Sequence, residues 1–330
     1  MKKTRATRRL DCESSGIHEA GAILRSGGLL AFPTETVYGL GGDATNGLAV
    51  AKIYEAKGRP SFNPLIIHVA SFEQANELAY FNENALVLAK AFWPGPLTLV
   101  LPCRSNFTVS ELALAGLDSI AIRIPSSPAA RSVLSAAGRP IAAPSANRSG
   151  RLSPTRFEDV LEDLDGLIDG IVMGDAAEIG LESTIVSCLA NKTLMLRPGG
   201  VPREAIEREL GQELASPLSA QDSGNAPLAP GMLLSHYAPK ADVRLDAREV
   251  KPGEAALLFG PNDIKGAASS AFAVNLSPTG DLREAAANLF SGLRKLDALG
   301  ARIIAVSPIP EVGLGEAIND RLRRAAAPRG

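Results

Sequence analysis

The chain has 330 residues, 45% of them hydrophobic, enough to fill one large core or two medium ones. A formal net charge of −2 argues against a protein that coats nucleic acid, so any basic surface has to be local. The three cysteines, Cys12, Cys103 and Cys188, and three histidines, His18, His68 and His236, lack CxxC or HExxH spacing, which argues against a disulfide framework or a Cys-rich zinc site and fits a reducing cytosol.

The start of the chain is basic, from Lys2 to Arg9, but no hydrophobic core follows it, which excludes a secretory signal; it resembles a very short organellar presequence or, as the favoured reading, a disordered N-terminus over residues 1–10. No apolar run approaches the ~20 residues that span a bilayer, so the expected location is cytoplasmic. Ser14 to Arg25 reads as a helix closed by Gly27-Gly28, followed by a strand from Leu29 to Phe32. A helix from Leu48 to Ala56 comes next, and then strands at Leu65–Val69, Leu97–Leu101 and Ile120–Ile124. Further strands are expected at Ile141–Ala143, Ile168–Met173 and Thr184–Val186, with helical segments between most of them. This alternation predicts an α/β sheet with helices against it, over residues 11–210.

Composition changes from Gly211, where Ala215-Ser216-Pro217 and Ser223-Gly224-Asn225-Ala226-Pro227 break all periodicity. Residues 211–240 read as a linker, and its second half, Pro227 to Pro239, as a strap: prolines favour an extended path while Met232, Leu233, Leu234 and Tyr237 need a surface. The strap is expected to dock on the first domain. Beyond it, strands at Ala255–Phe259 and Phe272–Leu276, a helix from Asp281 to Leu299, a strand at Arg302–Val306 and a helix from Gly315 to Arg324 predict a small parallel α/β domain over 241–330. It has no GxGxxG fingerprint.

Two loops carry chemistry. Lys57-Gly58-Arg59-Pro60-Ser61-Phe62-Asn63-Pro64 sets two cations and an amide on a frame stiffened by Gly and Pro, which suits the holding of an anion. Phe32-Pro33-Thr34-Glu35-Thr36-Val37-Tyr38-Gly39-Leu40 lies upstream. Arg123 has its own physical argument: Ile120, Ile122 and Ile124 share one strand face, so Arg123 projects from the other and needs a partner if buried. From the residues alone that partner is an internal Asp or Glu, or water on a solvated sheet face. His68 sits similarly, opposite Leu65, Ile67 and Val69, where a satisfied structural histidine is the usual outcome.

The two loops, in this order and spacing, resemble the YrdC-type domain of the threonylcarbamoyl-AMP synthase family. Trp93-Pro94-Gly95-Pro96-Leu97-Thr98, Pro144-Ser145-Ala146-Asn147, Glu182-Ser183-Thr184 and Arg197-Pro198-Gly199 match as well. Pro230-Gly231 with His236-Tyr237-Ala238-Pro239 resembles the linker of the two-domain members. The resemblance implies a YrdC-like twisted mixed sheet with flanking helices, plus the smaller C-terminal domain. It implies formation of threonylcarbamoyl-AMP and pyrophosphate from L-threonine, bicarbonate or CO2 and ATP, with Mg2+ arriving on the ATP. The product would pass to a separate transferase acting on tRNA; direct binding of tRNA is left open.

The resemblance also assigns residues. Lys57 and Arg59 are expected on the triphosphate as the catalytic cations, with Asn63 and Arg197 beside them. Ser145 and Asn147 suit ribose or phosphate contacts, as more weakly do Ser119 and Ser153, while Tyr237 closes over the nucleotide. Thr36, His68, Arg123, Ser183 and the backbone at Ala143 are expected around threonine. No GxxxxGK[ST] loop or GxSxG elbow is present, and no protein ligands to a metal are named. Two rival readings, an RNA-binding module and a carbamoyl-adenylate-forming enzyme, are disfavoured by 5% aromatic content and by the lack of CxxC pairs.

Overall fold

The computed structural model describes residues 6–189, 193–215, 237–261, 264–270 and 272–327. In the first domain the strands are β1 (Arg8–Leu10), β2 (Leu30–Phe32), β3 (Gly39–Asp43), β4 (Ile66–His68), β5 (Leu97–Pro102), β6 (Ser119–Arg123), β7 (Ile141–Ala142), β8 (Gly170–Val172), β9 (Thr184–Ser187) and β10 (Leu194–Arg197). They form one mixed sheet in the order β1-β8-β2-β3-β7-β4-β6-β5-β9-β10. The C-terminal strands β11 (Asp242–Arg244), β12 (Ala255–Leu258), β13 (Ala273–Asn275) and β14 (Ile303–Val306) form a second sheet, ordered β11-β14-β12-β13 and parallel at every pairing. The expected mixed sheet and smaller parallel α/β domain are both present.

The expectation of a disordered start over 1–10 is corrected at its end. Arg8–Leu10 pairs in parallel with β8, and the Arg8 amide donates to Asp169 O at 3.2 Å. Leu10 is buried among Ile23, Leu24 and Val172, so one apolar side chain and an unpaired sheet edge together hold a segment that looks purely basic. The strap between Ala215 and Tyr237 lies outside the described residues, and with it Pro230, Gly231 and His236.

Strand periodicity decides which face of the sheet carries chemistry. Leu65, Ile67, Val69, Leu97, Leu99, Leu101, Ile120, Ile122 and Ile124 all enter the main core. Ile66, Val100 and Ala121 form a separate, smaller cluster, and His68, Thr98 and Arg123 alternate with the core-facing residues of the same strands. Parallel pairing of β4 with β6 puts His68 directly opposite Arg123. Helix Gly47–Lys57 delivers the basic loop: Asn46 Oδ1 caps its start on the amides of Leu48 and Ala49, and Gly58 at φ +60° turns the chain out of it.

Candidate active site

A pocket of about 50 Å³ lies on the polar face of the sheet. Of the residues singled out in the sequence, it brings together Thr36, Arg59, His68, Arg123, Ala143, Ser145, Ser183, Arg197 and Tyr237, with Thr34 and Glu182 among its other neighbours.

On one side stands Arg123, 4% exposed, which donates from Nη2 to Glu35 Oε1 at 2.6 Å, from Nη1 to Thr36 Oγ1 at 2.9 Å and from Nε to Gly95 O at 3.2 Å. The internal carboxylate admitted as one possible partner of Arg123 is therefore Glu35. Its other oxygen accepts from the Ser127 amide at 3.2 Å; burial raises the carboxyl, but the charge of Arg123 and the hydrogen bonds from its guanidinium and from the backbone together hold it below its ordinary pKa. Thr34 braces the loop, its hydroxyl donating to Val37 O and lying 2.8 Å from Thr36 Oγ1. Beside Arg123, burial followed by the charge of that guanidinium pushes the His68 imidazole down to about 3, so the ring is neutral. Its Nδ1 lies 3.3 Å from the Ile66 carbonyl oxygen, which can only accept; Nδ1 thus carries the proton.

The other side is built from the loops around residues 59, 145, 183 and 197. Arg59 donates to the carbonyls of Asn63 and Pro64, which fixes its guanidinium to its own loop. Arg197 donates twice to Ser183 O, at 3.3 and 2.9 Å, and Ser183 Oγ lies 2.7 Å from Thr98 Oγ1. Tyr237 is 1% exposed at φ +62°, with its ring 5.6 Å from that of Phe290.

Five of the expected residues do not line the cavity. Lys57 is buried behind it and donates Nζ to the carbonyls of Ser145 and Asn147, with Asn147 Oδ1 at 3.4 Å. Burial, and then the charge of Arg59, push the ammonium well below its ordinary pKa. Lys57 therefore buckles the Ser145–Asn147 turn in place. Asn147 shares this role, donating Nδ2 to the carbonyls of Arg148 and Arg151. Asn63 is buried with Oδ1 lacking a partner among the described residues. Ser153 is buried and donates to Glu182 Oε1. Ser119 starts β6, in register with Pro102, about 13 Å along the strand from Arg123.

Two residues escaped the sequence reading. Glu35 sits in the Phe32–Leu40 loop with no local pattern that marks its role. Arg321, on helix Leu314–Ala326 of the C-terminal domain, is wholly buried and donates Nε to Glu182 Oε2 at 2.8 Å and Nη2 to Pro198 O at 3.0 Å. The signal was present: Ala317, Ile318, Leu322 and Ala325 form the buried stripe of that helix, and Arg321 falls on it.

The fold is a mixed α/β sheet with buried guanidiniums and hydroxyls gathered around one pocket on its polar face. Comparison with known proteins makes this specific. A family model described as "Telomere recombination" (Sua5/YciO/YrdC) matches residues 22–199, and one described as "Threonylcarbamoyl-AMP synthase, C-terminal domain" matches 201–327. The threonylcarbamoyl-AMP synthase of Bacillus subtilis (strain 168) is 41% identical over 98% of this chain and 96% of its own length, and that of Pyrococcus abyssi (strain GE5 / Orsay) 43% identical over 95% and 94%. The crystal structure of P. abyssi Sua5 complexed with L-threonine superposes with a TM-score of 0.87 at 40% identity, covering 97% of both chains. The chain belongs to the threonylcarbamoyl-AMP synthase family, in its two-domain form.

Proposed function

We propose that this protein is an L-threonylcarbamoyladenylate synthase, joining L-threonine, bicarbonate or CO2 and ATP into threonylcarbamoyl-AMP with release of pyrophosphate. The observation that carries the reading is the cavity, where Arg123, Thr36 and Ser183 stand near Arg59 and Arg197 in a chain at least 41% identical to two named synthases over nearly its whole length.

The threonine amine adds to CO2 and loses a proton to give a carbamate. A carbamate oxygen then attacks the α-phosphorus of ATP, and pyrophosphate leaves with the bridging oxygen and its electron pair. The nucleophile is already anionic, so catalysis rests on positioning and on neutralising phosphate charge. Arg123 and the hydroxyls of Thr36 and Ser183 would take the threonine end, with neutral His68 and the Ala143 backbone beside it. Arg59 and Arg197 would take the phosphates, and Ser145, held by Lys57 and Asn147, the nucleotide.

Among the described residues no group of three or more His, Cys, Asp or Glu could hold a metal, and Glu182 is engaged by Ser153 and Arg321. Mg2+ fits here as part of the substrate, riding on the ATP phosphates with its own waters. A cavity of about 50 Å³ is far below the roughly 300–1,000 Å³ of pockets that enclose such ligands, so a lining element moves to admit ATP. Tyr237, at the end of the strap, is that element in this reading, and its return shields the labile product from water.

No helix among the described residues is long and apolar enough to cross a membrane, and a cytoplasmic location with handover to a separate tRNA-modifying transferase completes the proposal. The test is mass spectrometry of the purified protein incubated with ATP, Mg2+, bicarbonate and L-threonine, with threonine omitted as control. A threonylcarbamoyl-adenylate ion with threonine-dependent pyrophosphate is the expected result; ATP binding without either product would overturn the assignment.

A further inference from the structure

The residues around the cavity include three guanidiniums, of Arg59, Arg123 and Arg197, and the carboxylate of Glu182. Glu182 adjoins Ser183, whose carbonyl anchors Arg197, so its charge lies on the side assigned to phosphate. An uncompensated carboxylate there would repel a polyanion and compete for Arg197. The compensation comes from the far end of the chain, through the contacts of Arg321 with Glu182 Oε2 and Pro198 O. Arg321 Nη1 pairs with Asp320 at 2.6 Å, and its guanidinium lies 5.2 Å from the centre of the Tyr237 ring. One side chain of the C-terminal domain therefore touches the segments carrying Ser183 and Arg197 and the residue that ends the strap.

We propose that Arg321 is a positioning residue of the nucleotide side: it neutralises Glu182 and fixes the 182–183 and 197–198 segments, so that the C-terminal domain completes the anion-binding wall of the first. The proposal rests on the function proposed above for its ligand, ATP. Burial would raise the Glu182 carboxyl, but Arg321 and Arg197, helped by Ser153, outweigh it and hold it ionised at about 2. The carboxylate is thus charged at all working pH values, and its compensation is a permanent requirement. A purely structural Arg321 would tie the domains together without distinguishing one substrate from the other.

The experiment measures ATP and L-threonine binding separately by calorimetry on the full-length protein, together with Tm, for the parent chain, Arg321→Met, Arg321→Lys and Arg321→Met/Glu182→Gln. The expected result is a rise in ATP Kd of about tenfold or more in Arg321→Met, the scale of one like-charge contact in a partly screened site. Threonine Kd stays within about twofold, Arg321→Lys recovers part of the loss because it restores the charge without the two-segment contact, and the double variant also recovers part of it because it removes the unpaired carboxylate but not the lost contact with Pro198. Should Arg321→Met fail to fold, the double variant, which buries no unpaired carboxylate, carries the test. Parent-like ATP binding in Arg321→Met, equal loss of both ligands in step with Tm, or a folded double variant that still cannot bind ATP would overturn the proposal. A parent chain that binds ATP in this charge-dependent way yet makes no threonylcarbamoyl-AMP would refute the assigned reaction and leave the role of Arg321 intact.

Discussion

Glu35 and Arg123 meet at 2.6 Å beside the cavity, with 3% and 5% of their side chains exposed. Arg123 is thus set in one orientation before any ligand arrives, with Nη1 turned to Thr36. Removing the carboxylate leaves a buried guanidinium short of its counter-charge, a change that costs about 3 kcal/mol or more. Glu35→Ala is expected to lose that much stability in urea unfolding and to weaken threonine binding more than ATP binding. Equal weakening of both ligands would contradict the orientation argument.

Lys57 makes a different prediction. A buried ammonium bonded only to neutral acceptors gains little net stability, because desolvation offsets its hydrogen bonds. Lys57→Met should leave Tm within a few degrees of the parent, yet let the Ser145–Asn147 turn drift. Misplacement on the scale of an ångström costs roughly 100-fold in rate, and that loss is expected in kcat/KM for ATP. Steady-state kinetics on a chain shown to be folded by circular dichroism checks it.

The cavity also sets the acid limit of the fold. His68 falls from 6.5 to about 3 on folding and Glu182 from 4.5 to about 2, so both bind fewer protons folded than unfolded. Stability is therefore complete above about pH 6.5, declines through His68 as pH falls below it, and declines further through Glu182 below about 4.5, each at no more than ~1.4 kcal/mol per pH unit. Thermal unfolding from pH 7.5 to 4 should show this two-stage fall, and His68→Gln should lack the upper stage. A parent Tm that stays level down to about pH 5 would count against it.

Tyr237 occupies a left-handed backbone conformation, φ +62°, that favours glycine. Its ring contacts with Phe290 and Arg321 hold it there. Tyr237→Ala loses the ring and keeps the strain, whereas Tyr237→Gly loses both, so the glycine variant should be the more stable by about 1 kcal/mol. Both variants should release ATP faster in stopped-flow chase; parent-like release in both would remove Tyr237 from the nucleotide side.

Much of this arrangement is legible in the sequence where a local rule applies. Alternation in Ile120–Ile124 and Leu65–Val69 places Arg123 and His68 on the face away from the core, and they do stand there side by side. The glycine-closed helix before the basic loop is readable for the same reason. What escapes depends on distant chain. Gly39–Asp43 has poor strand propensity but forms β3, because Phe32 and Ile141 pack where a Cβ on Gly41 would lie. Lys57 reads as a phosphate ligand, and no local pattern shows that the chain returns 88 residues later to offer it the Ser145 carbonyl. Arg321 can be placed on the buried stripe of its helix, but its partner cannot, since Glu182, 139 residues away, is invisible to any local pattern.

The pairing of β1 with β8 has a consequence for synthesis. Arg8 finds its partner only at Gly170, so the sheet edge it closes stays open until more than half of the chain has been made. Glu182 waits longer, for a helix that begins at Leu314 of 330 residues. A ribosome adding about 5–20 residues per second thus carries a growing chain whose first domain can collapse well before its buried carboxylate is matched. A polypeptide cut short before its last helix never supplies that match.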